Sequence, residues 1–213
     1  MAEEKGPLNV SRRSLLIGAG GTVALMGLGA LRYAGQNPVC RPPGGQDENR
    51  LVAACIRCEK CYEACPRNVI VPARIEDGIV GMRSPELNFS DNYCDFCTEE
   101  NGGEPLCVKA CPTEALRLNA GATAQNTIIG LAVIDEAQCL AYRDTGCRYC
   151  YDACSYEAIG LTQDAKSQRP FVIADRCNGC GACESVCVSL KAGSIVAGAT
   201  ERAIVVKPLE SLQ

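Results

Sequence analysis

The feature that most constrains this sequence is a run of four cysteines between Cys55 and Cys65, followed directly by Pro66. Its spacing is C-x2-C-x2-C-x3-C-P, which puts three thiols on one loop and the fourth about one helical turn further on. This spacing is typical of [4Fe–4S] ligands, and in two-cluster ferredoxins the fourth cysteine binds the other cluster. The run therefore predicts a second run elsewhere in the chain.

Three further quartets follow, and the four runs start 39, 45 and 38 residues apart. The second run has a nine-residue insertion before its third cysteine, the third run opens with C-x7-C, and the fourth returns to the standard spacing. The predicted ligands are Cys55, Cys58, Cys61 and Cys65; Cys94, Cys97, Cys107 and Cys111; Cys139, Cys147, Cys150 and Cys154; and Cys177, Cys180, Cys183 and Cys187. Four [4Fe–4S] clusters are the cofactors that this count predicts.

Two other uses of so many cysteines fit the spacing less well. Zinc sites usually take two ligands from each of two C-x2-C hooks, whereas these runs offer three close cysteines and a remote one. A disulfide framework in an oxidising compartment does not call for four quartets that each end in C-x3-C. The seventeenth cysteine, Cys40, has no other ligand nearby and is predicted to be a spare thiol.

The composition excludes several classes of function. The chain has no histidine, so no C-x-x-C can attach a c-type haem, which requires C-x-x-C-H. A formal charge of −4 without a basic patch argues against nucleic-acid binding. No nucleophile–base pair or phosphate-binding loop is visible, so we expect an electron carrier and not an independent enzyme, although it could be a subunit of a quinol dehydrogenase or reductase complex.

The N-terminus has the pattern of an export signal. Arg12 and Arg13 follow Ser11 and precede an uncharged stretch rich in Gly, Ala and Leu, which resembles a twin-arginine signal. The alternative is a membrane-spanning helix, and an uncleaved signal would tether the protein peripherally to the membrane. We therefore expect a signal over 1–34, a Pro- and Gly-rich linker over 35–50, and the cluster-binding region over 51–213, in the periplasm.

The segments between the runs predict the fold. Short β-branched stretches precede the third and fourth runs, and a short helix followed by a strand is expected after a fourth cysteine. The predicted strands are 131–134, 171–173 and 160–162, the predicted helical pieces are 112–116 and 155–159, and a closing hairpin is predicted from 195–196 and 203–206. The expected fold class is α+β: two ferredoxin-like (βαβ)2 dicluster units in one compact chain with little regular secondary structure.

Two pairings of the runs are open. Sequential pairing joins the first run with the second and the third with the fourth. Nested pairing joins 94–154 into an inner unit and 51–65 with 177–187 into an outer one. We favour nesting because 89–93 is polar without a strand pattern, whereas the segment between Cys111 and Cys139 has strand candidates. The nested ligand sets are Cys55, Cys58, Cys61 and Cys187; Cys177, Cys180, Cys183 and Cys65; Cys94, Cys97, Cys107 and Cys154; and Cys139, Cys147, Cys150 and Cys111.

The Ser-Arg-Arg start and the four cysteine spacings resemble the exported four-cluster ferredoxin-type proteins of the NapG/MauM family. The resemblance covers residues 11–16 and about 55–190, but no proline follows Cys154 or Cys187. It implies electron transfer from a membrane-bound, quinol-oxidising ferredoxin-like partner toward periplasmic cytochromes and a reductase such as nitrate reductase, or a role in methylamine utilisation. The middle runs also resemble iron–sulfur subunits of molybdenum or tungsten oxidoreductases, in which the pairing is nested.

Overall fold

The computed structural model describes residues 11–32, 37–163, 168–190 and 201–212. Helix α1 spans Arg12–Arg32, and its described side chains are exposed. None of the helices in the described ranges is long and apolar enough to cross a bilayer.

The segment predicted to be a linker is packed into the fold, and that prediction is wrong for its second half. Pro42 and Pro43 are fully buried, and buried Arg41 donates to the Glu48 carboxylate. Helix α2, Glu48–Ala54, follows directly, and the Asp47 carboxylate caps it by accepting from the Arg50 N–H. This stretch therefore forms one wall of the region that holds the first cysteine run.

Each cysteine run carries one short helix at its third cysteine. These helices are α3 (Lys60–Glu63), α5 (Leu106–Lys109), α6 (Tyr149–Asp152) and α7 (Ala182–Ser185), while α4 (Thr98–Asn101) lies in the insertion of the second run. In every run the fourth cysteine stands two residues after the helix ends. The helices predicted at 112–116 and 155–159 are absent, and turns and irregular chain lead out of the fourth cysteine instead.

Three two-stranded antiparallel sheets complete the regular structure of the described residues. Strand β1 (Ile70–Pro72) pairs with β2 (Pro85–Leu87), β3 (Leu131–Ile134) with β6 (Ile204–Lys207), and β4 (Ile159–Leu161) with β5 (Pro170–Val172). The strands predicted near 131, 160 and 171 are confirmed within one residue. The strand predicted at 203–206 is confirmed within one residue as β6, which pairs with β3; its predicted hairpin partner, 195–196, lies outside the described residues.

The strand pairing groups the runs into two consecutive units. In the second unit (131–207) the order is β3, third run, β4, β5, fourth run, β6, and the outer strands pair with each other as do the inner ones. In the first unit (48–116), the β1–β2 hairpin leads from the first run to the second. Separate apolar cores support this division, one around Leu51, Val69 and Leu116, the other around Ala132, Ile159 and Ile204. The nested units predicted from the sequence are therefore wrong.

Candidate metal centres

The first run shares its cavity with the last cysteine of the second run. Cys55, Cys58 and Cys61 line a cavity together with Cys111, and Leu51 and Leu116 form its apolar wall. We call this group of four cysteines site I. Because α3 ends between Cys61 and Cys65, the latter lies outside this cavity.

Cys65 belongs to the neighbouring site. It lines a cavity with Cys94, Cys97 and Cys107, and we call this group site II. The two runs thus exchange their fourth cysteines. Their third-cysteine helices, α3 and α5, contact each other across the exchange.

The second unit repeats this arrangement. Cys139, Cys147 and Cys150 line a cavity with Cys187, the last cysteine of the fourth run; this group is site III. The remaining three cysteines of the fourth run group with Cys154, and we call them site IV. Their proximity is reflected in the pKa of Cys180, which burial, together with the neighbouring thiols of Cys154 and Cys177, raises to about 11.

The pairing is therefore sequential, and the nested ligand sets are corrected. The observed groups are Cys55, Cys58, Cys61 and Cys111; Cys94, Cys97, Cys107 and Cys65; Cys139, Cys147, Cys150 and Cys187; and Cys177, Cys180, Cys183 and Cys154. All sixteen predicted ligands fall into these four groups of four. Only the identity of the fourth member of each set differs from the prediction.

The spacing of the sulfur atoms tests which metal group these sites fit. Four thiolates around one zinc ion would lie about 3.8 Å apart, given a Zn–S bond of about 2.3 Å. Among the described residues no three cysteine sulfurs lie within 4.8 Å of one another. No two cysteines are joined in a disulfide, and all seventeen are free. The wider spacing and the four-thiol sets suit a group with several metal ions between its ligands, as an iron–sulfur cube has.

Backbone amides point at several of the sulfur atoms. The N–H of Leu116 donates to Cys111 Sγ at 3.5 Å, and the N–H of Ala158 donates to Cys154 Sγ at 3.2 Å. Amide donors of this kind stabilise thiolates and influence the potentials of iron–sulfur clusters. In both cases the donor N–H belongs to the turn that follows the fourth cysteine of the run. A turn at this place, instead of the predicted helix, leaves the N–H free to donate to the sulfur.

The electrostatic environment favours protonated thiols until a metal binds. Burial raises the pKa of Cys94 and of Cys150 to about 12, and neighbouring cysteines add to both shifts. Cys111 differs: burial raises its pKa, but the amides of Leu116 and Thr113 outweigh burial and lower it overall. Because metals bind thiolates, loading these sites must release protons, and the bound cations must compensate the buried charge.

An acidic cluster beside site II is not a metal site. The carboxylates of Asp95, Glu99 and Glu100 lie within 4.8 Å of one another. The guanidinium of Arg67, however, donates to Asp95 and to Glu99, each at 2.9 Å, and stacks over the Tyr93 ring. The positive charge of Arg67 therefore occupies the place that a cation would take.

The two units meet where sites II and IV lie. The backbone N–H of Cys94 donates to the carbonyl of Cys180 at 2.9 Å, so a ligand of each site takes part in one hydrogen bond. The N–H of Ile129 donates to the Asn178 carbonyl at 2.8 Å beside it. Gly181 lies against the Phe89 ring so closely that a Cβ would fall 2.0 Å from it. Sequence reasoning missed this junction because these two hydrogen bonds join backbone groups of distant segments, which leave no pattern in the residue types.

Two hydroxyl groups were also missed. Thr113 Oγ1 lies 3.8 Å from Cys111 Sγ, and Ser189 Oγ lies 3.2 Å from Cys187 Sγ. Each stands two residues after the fourth cysteine of its run. A C-x-[ST] pattern in the second and fourth runs was the available signal.

Comparison with known protein families gives the same division into two units. The family model for the 4Fe-4S dicluster domain matches residues 54–116, and a second model of that description matches residues 145–189. The first match spans the first two cysteine runs, and the second covers the third and fourth runs except Cys139. Each match therefore lies on two runs that the structure pairs. The chain is thus a ferredoxin-type iron–sulfur electron-transfer protein.

The relatives narrow this class. The chain is 35% identical to the methylamine utilization ferredoxin-type protein MauM of Methylorubrum extorquens, over 88% of either chain. It is 33% identical to the ferredoxin-type protein NapG of Escherichia coli K12, over 88% of this chain and 85% of the relative. It is 30% identical to the ferredoxin-type protein NapF of the same strain, over 84% and 91%. The chain belongs to the NapG/MauM family of ferredoxin-type proteins.

Proposed function

We propose that the protein carries electrons through four [4Fe–4S] clusters bound by its sixteen paired cysteines. The observation that carries this proposal is the grouping of those cysteines into four sets of four. Bound clusters of this type supply one-electron redox chemistry. The protein would contribute the thiolates, the amide donors and the exclusion of water, with no substrate reaction of its own. In this proposal each unit is a ferredoxin-like module of the (βαβ)2 type.

The order of the sites along the electron path would be I, II, IV, III. Within the first unit, one turn of helix separates Cys61 of site I from Cys65 of site II, and within the second unit α6 separates Cys150 of site III from Cys154 of site IV. Between the units, the Cys94–Cys180 hydrogen bond joins sites II and IV. Sites I and III are then the ends of the path, and exposed Cys58 brings site I to the surface.

The direction and partners we propose follow from the family. Electrons would come from a membrane-bound, quinol-oxidising ferredoxin-like protein and go to periplasmic cytochromes or a reductase such as nitrate reductase. A role in methylamine utilisation is the alternative, and the similar identities to MauM and NapG do not separate the two. The alternative of a molybdenum or tungsten oxidoreductase subunit came from the resemblance of the middle runs to such subunits, whose pairing is nested. The sequential groups of this chain differ from that pairing.

Metal analysis of the purified protein tests the central proposal. It should contain about 16 iron and about 16 inorganic sulfide per chain. About two zinc without sulfide would refute it. Purification from solubilised membranes with an affinity tag would identify the partners: a quinol-oxidising membrane protein together with a nitrate reductase supports one route, and methylamine dehydrogenase components support the other.

Export by the twin-arginine route is a separate proposal. Arg12 and Arg13 at the start of α1 support it, because this route carries folded, cofactor-loaded proteins. Replacing both with Lys keeps the charge and should leave the cluster-loaded protein in the cytoplasm. Unchanged periplasmic recovery of that variant would refute the route.

A further inference from the structure

The environment of Cys187, the ligand that completes site III, contains a buried hydroxyl. Ser189 is only 1% exposed, and its Oγ lies 3.2 Å from Cys187 Sγ. Buried hydroxyls need partners within the protein, since an unpaired one costs free energy. Cys187 Sγ is therefore a hydrogen-bond partner of the Ser189 hydroxyl.

The second contact of Ser189 decides which group is the donor. The backbone N–H of Ala203 donates to Ser189 Oγ at 2.7 Å, so the hydroxyl oxygen already acts as an acceptor. Its own proton remains for donation, and Cys187 Sγ is the acceptor in reach. A cysteine that binds a metal has no proton to give, so in the loaded protein the hydrogen bond must run from Ser189 to the sulfur.

The same relation recurs at the other end of the molecule. Thr113 Oγ1 lies 3.8 Å from Cys111 Sγ, the ligand that completes site I. The residues two positions after the other two exchanged cysteines are different: Arg67 follows Cys65, and Tyr156 follows Cys154. Arg67 is engaged with the acidic cluster of Asp95 and Glu99. From this position, then, an aliphatic hydroxyl reaches sites I and III and not sites II and IV.

We propose that Ser189 is a positioning residue whose hydroxyl, donated to Cys187, raises the reduction potential of the cluster at site III. Thr113 has the same role at site I, weakened by its longer distance. The proposal rests on the proposed function, because it requires clusters at these sites. Its physical basis is that the reduced state carries one more negative charge, so a donor to the sulfur stabilises that state more than the oxidised one.

The decisive measurement is the reduced fraction of each cluster at a fixed solution potential, read by EPR on purified holoprotein. Ser189→Ala should lower the ratio of reduced to oxidised cluster at site III about three- to tenfold, the range expected for the net contribution of a typical hydrogen bond. The EPR signal that changes in Ser189→Ala is assigned to site III if the same signal is absent from the spectrum of Cys147→Ala. Iron and sulfide content should stay at the wild-type level.

Two matched variants separate this role from a structural one. Ser185→Ala removes another buried hydroxyl of the same unit, which donates to the Ala182 carbonyl at 2.9 Å and not to a sulfur; it should leave the site III ratio unchanged. Ser189→Thr keeps the hydroxyl and should restore most of the wild-type ratio. An unchanged ratio in Ser189→Ala, or an equal shift in Ser185→Ala, overturns the proposal.

Thr113→Val keeps the test decisive if Ser189→Ala loses iron. Thr113 is only half-buried, and valine has nearly the same shape. This variant should shift the site I ratio in the same direction by a smaller factor, whereas Thr98→Val, whose hydroxyl donates to the Asp95 carbonyl, should not. No shift in Thr113→Val then overturns the proposal. A wild-type protein without iron and sulfide would instead refute the proposed function itself.

Discussion

Replacing Gly179 with alanine tests whether the junction between the two units depends on backbone contact. Gly179 has φ of +76°, and a Cβ there would lie 2.4 Å from the Gly130 nitrogen and 2.5 Å from its carbonyl oxygen. These are backbone atoms, so no side-chain rotation can relieve the overlap. The hydrogen bond from Ile129 to Asn178 holds the two segments together at this point.

Two costs add in the Gly179→Ala variant. A left-handed backbone conformation costs a residue with a Cβ about 1–2 kcal/mol. Forcing a methyl group into close-packed surroundings costs about 1–3 kcal/mol more. We therefore expect a loss of about 2–5 kcal/mol at the junction. The segments would move apart, and sites II and IV with them.

Gly146 provides the matched control. It has φ of +72° and precedes Cys147 as Gly179 precedes Cys180, but nothing lies within 4 Å of its Cβ position. Gly146→Ala should show only the conformational cost of about 1–2 kcal/mol. Thermal loss of cluster absorbance reports stability, and EPR of the fully reduced protein reports magnetic coupling between clusters. We expect weaker magnetic coupling in Gly179→Ala and unchanged coupling in Gly146→Ala. Equal effects of the two variants on stability and coupling would refute close backbone contact at the junction.

Three further predictions concern the pairing, the spare thiol and one buried carboxyl. Cys111→Ala should remove at least about 4 iron per chain, all from the first unit, and Cys187→Ala should remove at least about 4 iron from the second unit. The EPR signals that one variant loses should be those that the other keeps. Loss of the site III signal in Cys111→Ala would instead support the nested pairing. Cys40→Ala should leave iron content unchanged, because this thiol is directed at the Val206 carbonyl at 3.6 Å; measurable iron loss would make it a ligand. Burial, aided by Asp77, raises the pKa of Glu86 from 4.5 to about 7, so its contribution to stability is present below pH 4.5 and lost as pH rises toward 7. Glu86→Gln should therefore raise the free energy of unfolding by about 1 kcal/mol above pH 7, a value discounted for partial exposure, and should leave it unchanged at pH 4. A thermal midpoint equal to that of the wild type at pH 8 would contradict this.

Three of the four cysteines in each group could be read from the sequence, because they come from a single run. Local spacing is enough to identify such a set, as in the run from Cys55 to Cys61. The fourth cysteine of each group comes from a distant run, so it depends on which strands pair. That information is not local, and the prediction of the pairing failed there.

The failure can be traced to the segment between the first two runs. Its strands, 70–72 and 85–87, are only three residues long, and each contains a proline, which disfavours a strand assignment. The segment therefore seemed irregular, although its hairpin brings the first run to the second. At 203–206 a strand was correctly predicted within one residue, but its pairing with β3, some 70 residues earlier, was not predicted.

The exchange of fourth cysteines has a consequence for folding. Helices of one turn and sheets of two short strands are not stable alone, so the elements of each unit depend on one another. Buried thiols with raised pKa add a cost that only metal binding offsets. In the first unit, Cys111 completes site I while Cys65 completes site II, so neither site can assemble without ordering both runs. We therefore expect the clusters to be gained and lost in pairs, site I together with site II and site III together with site IV. When iron is removed gradually with a chelator, the protein should pass through a state in which one unit is still intact. Loss of the four EPR signals one at a time would contradict this coupling.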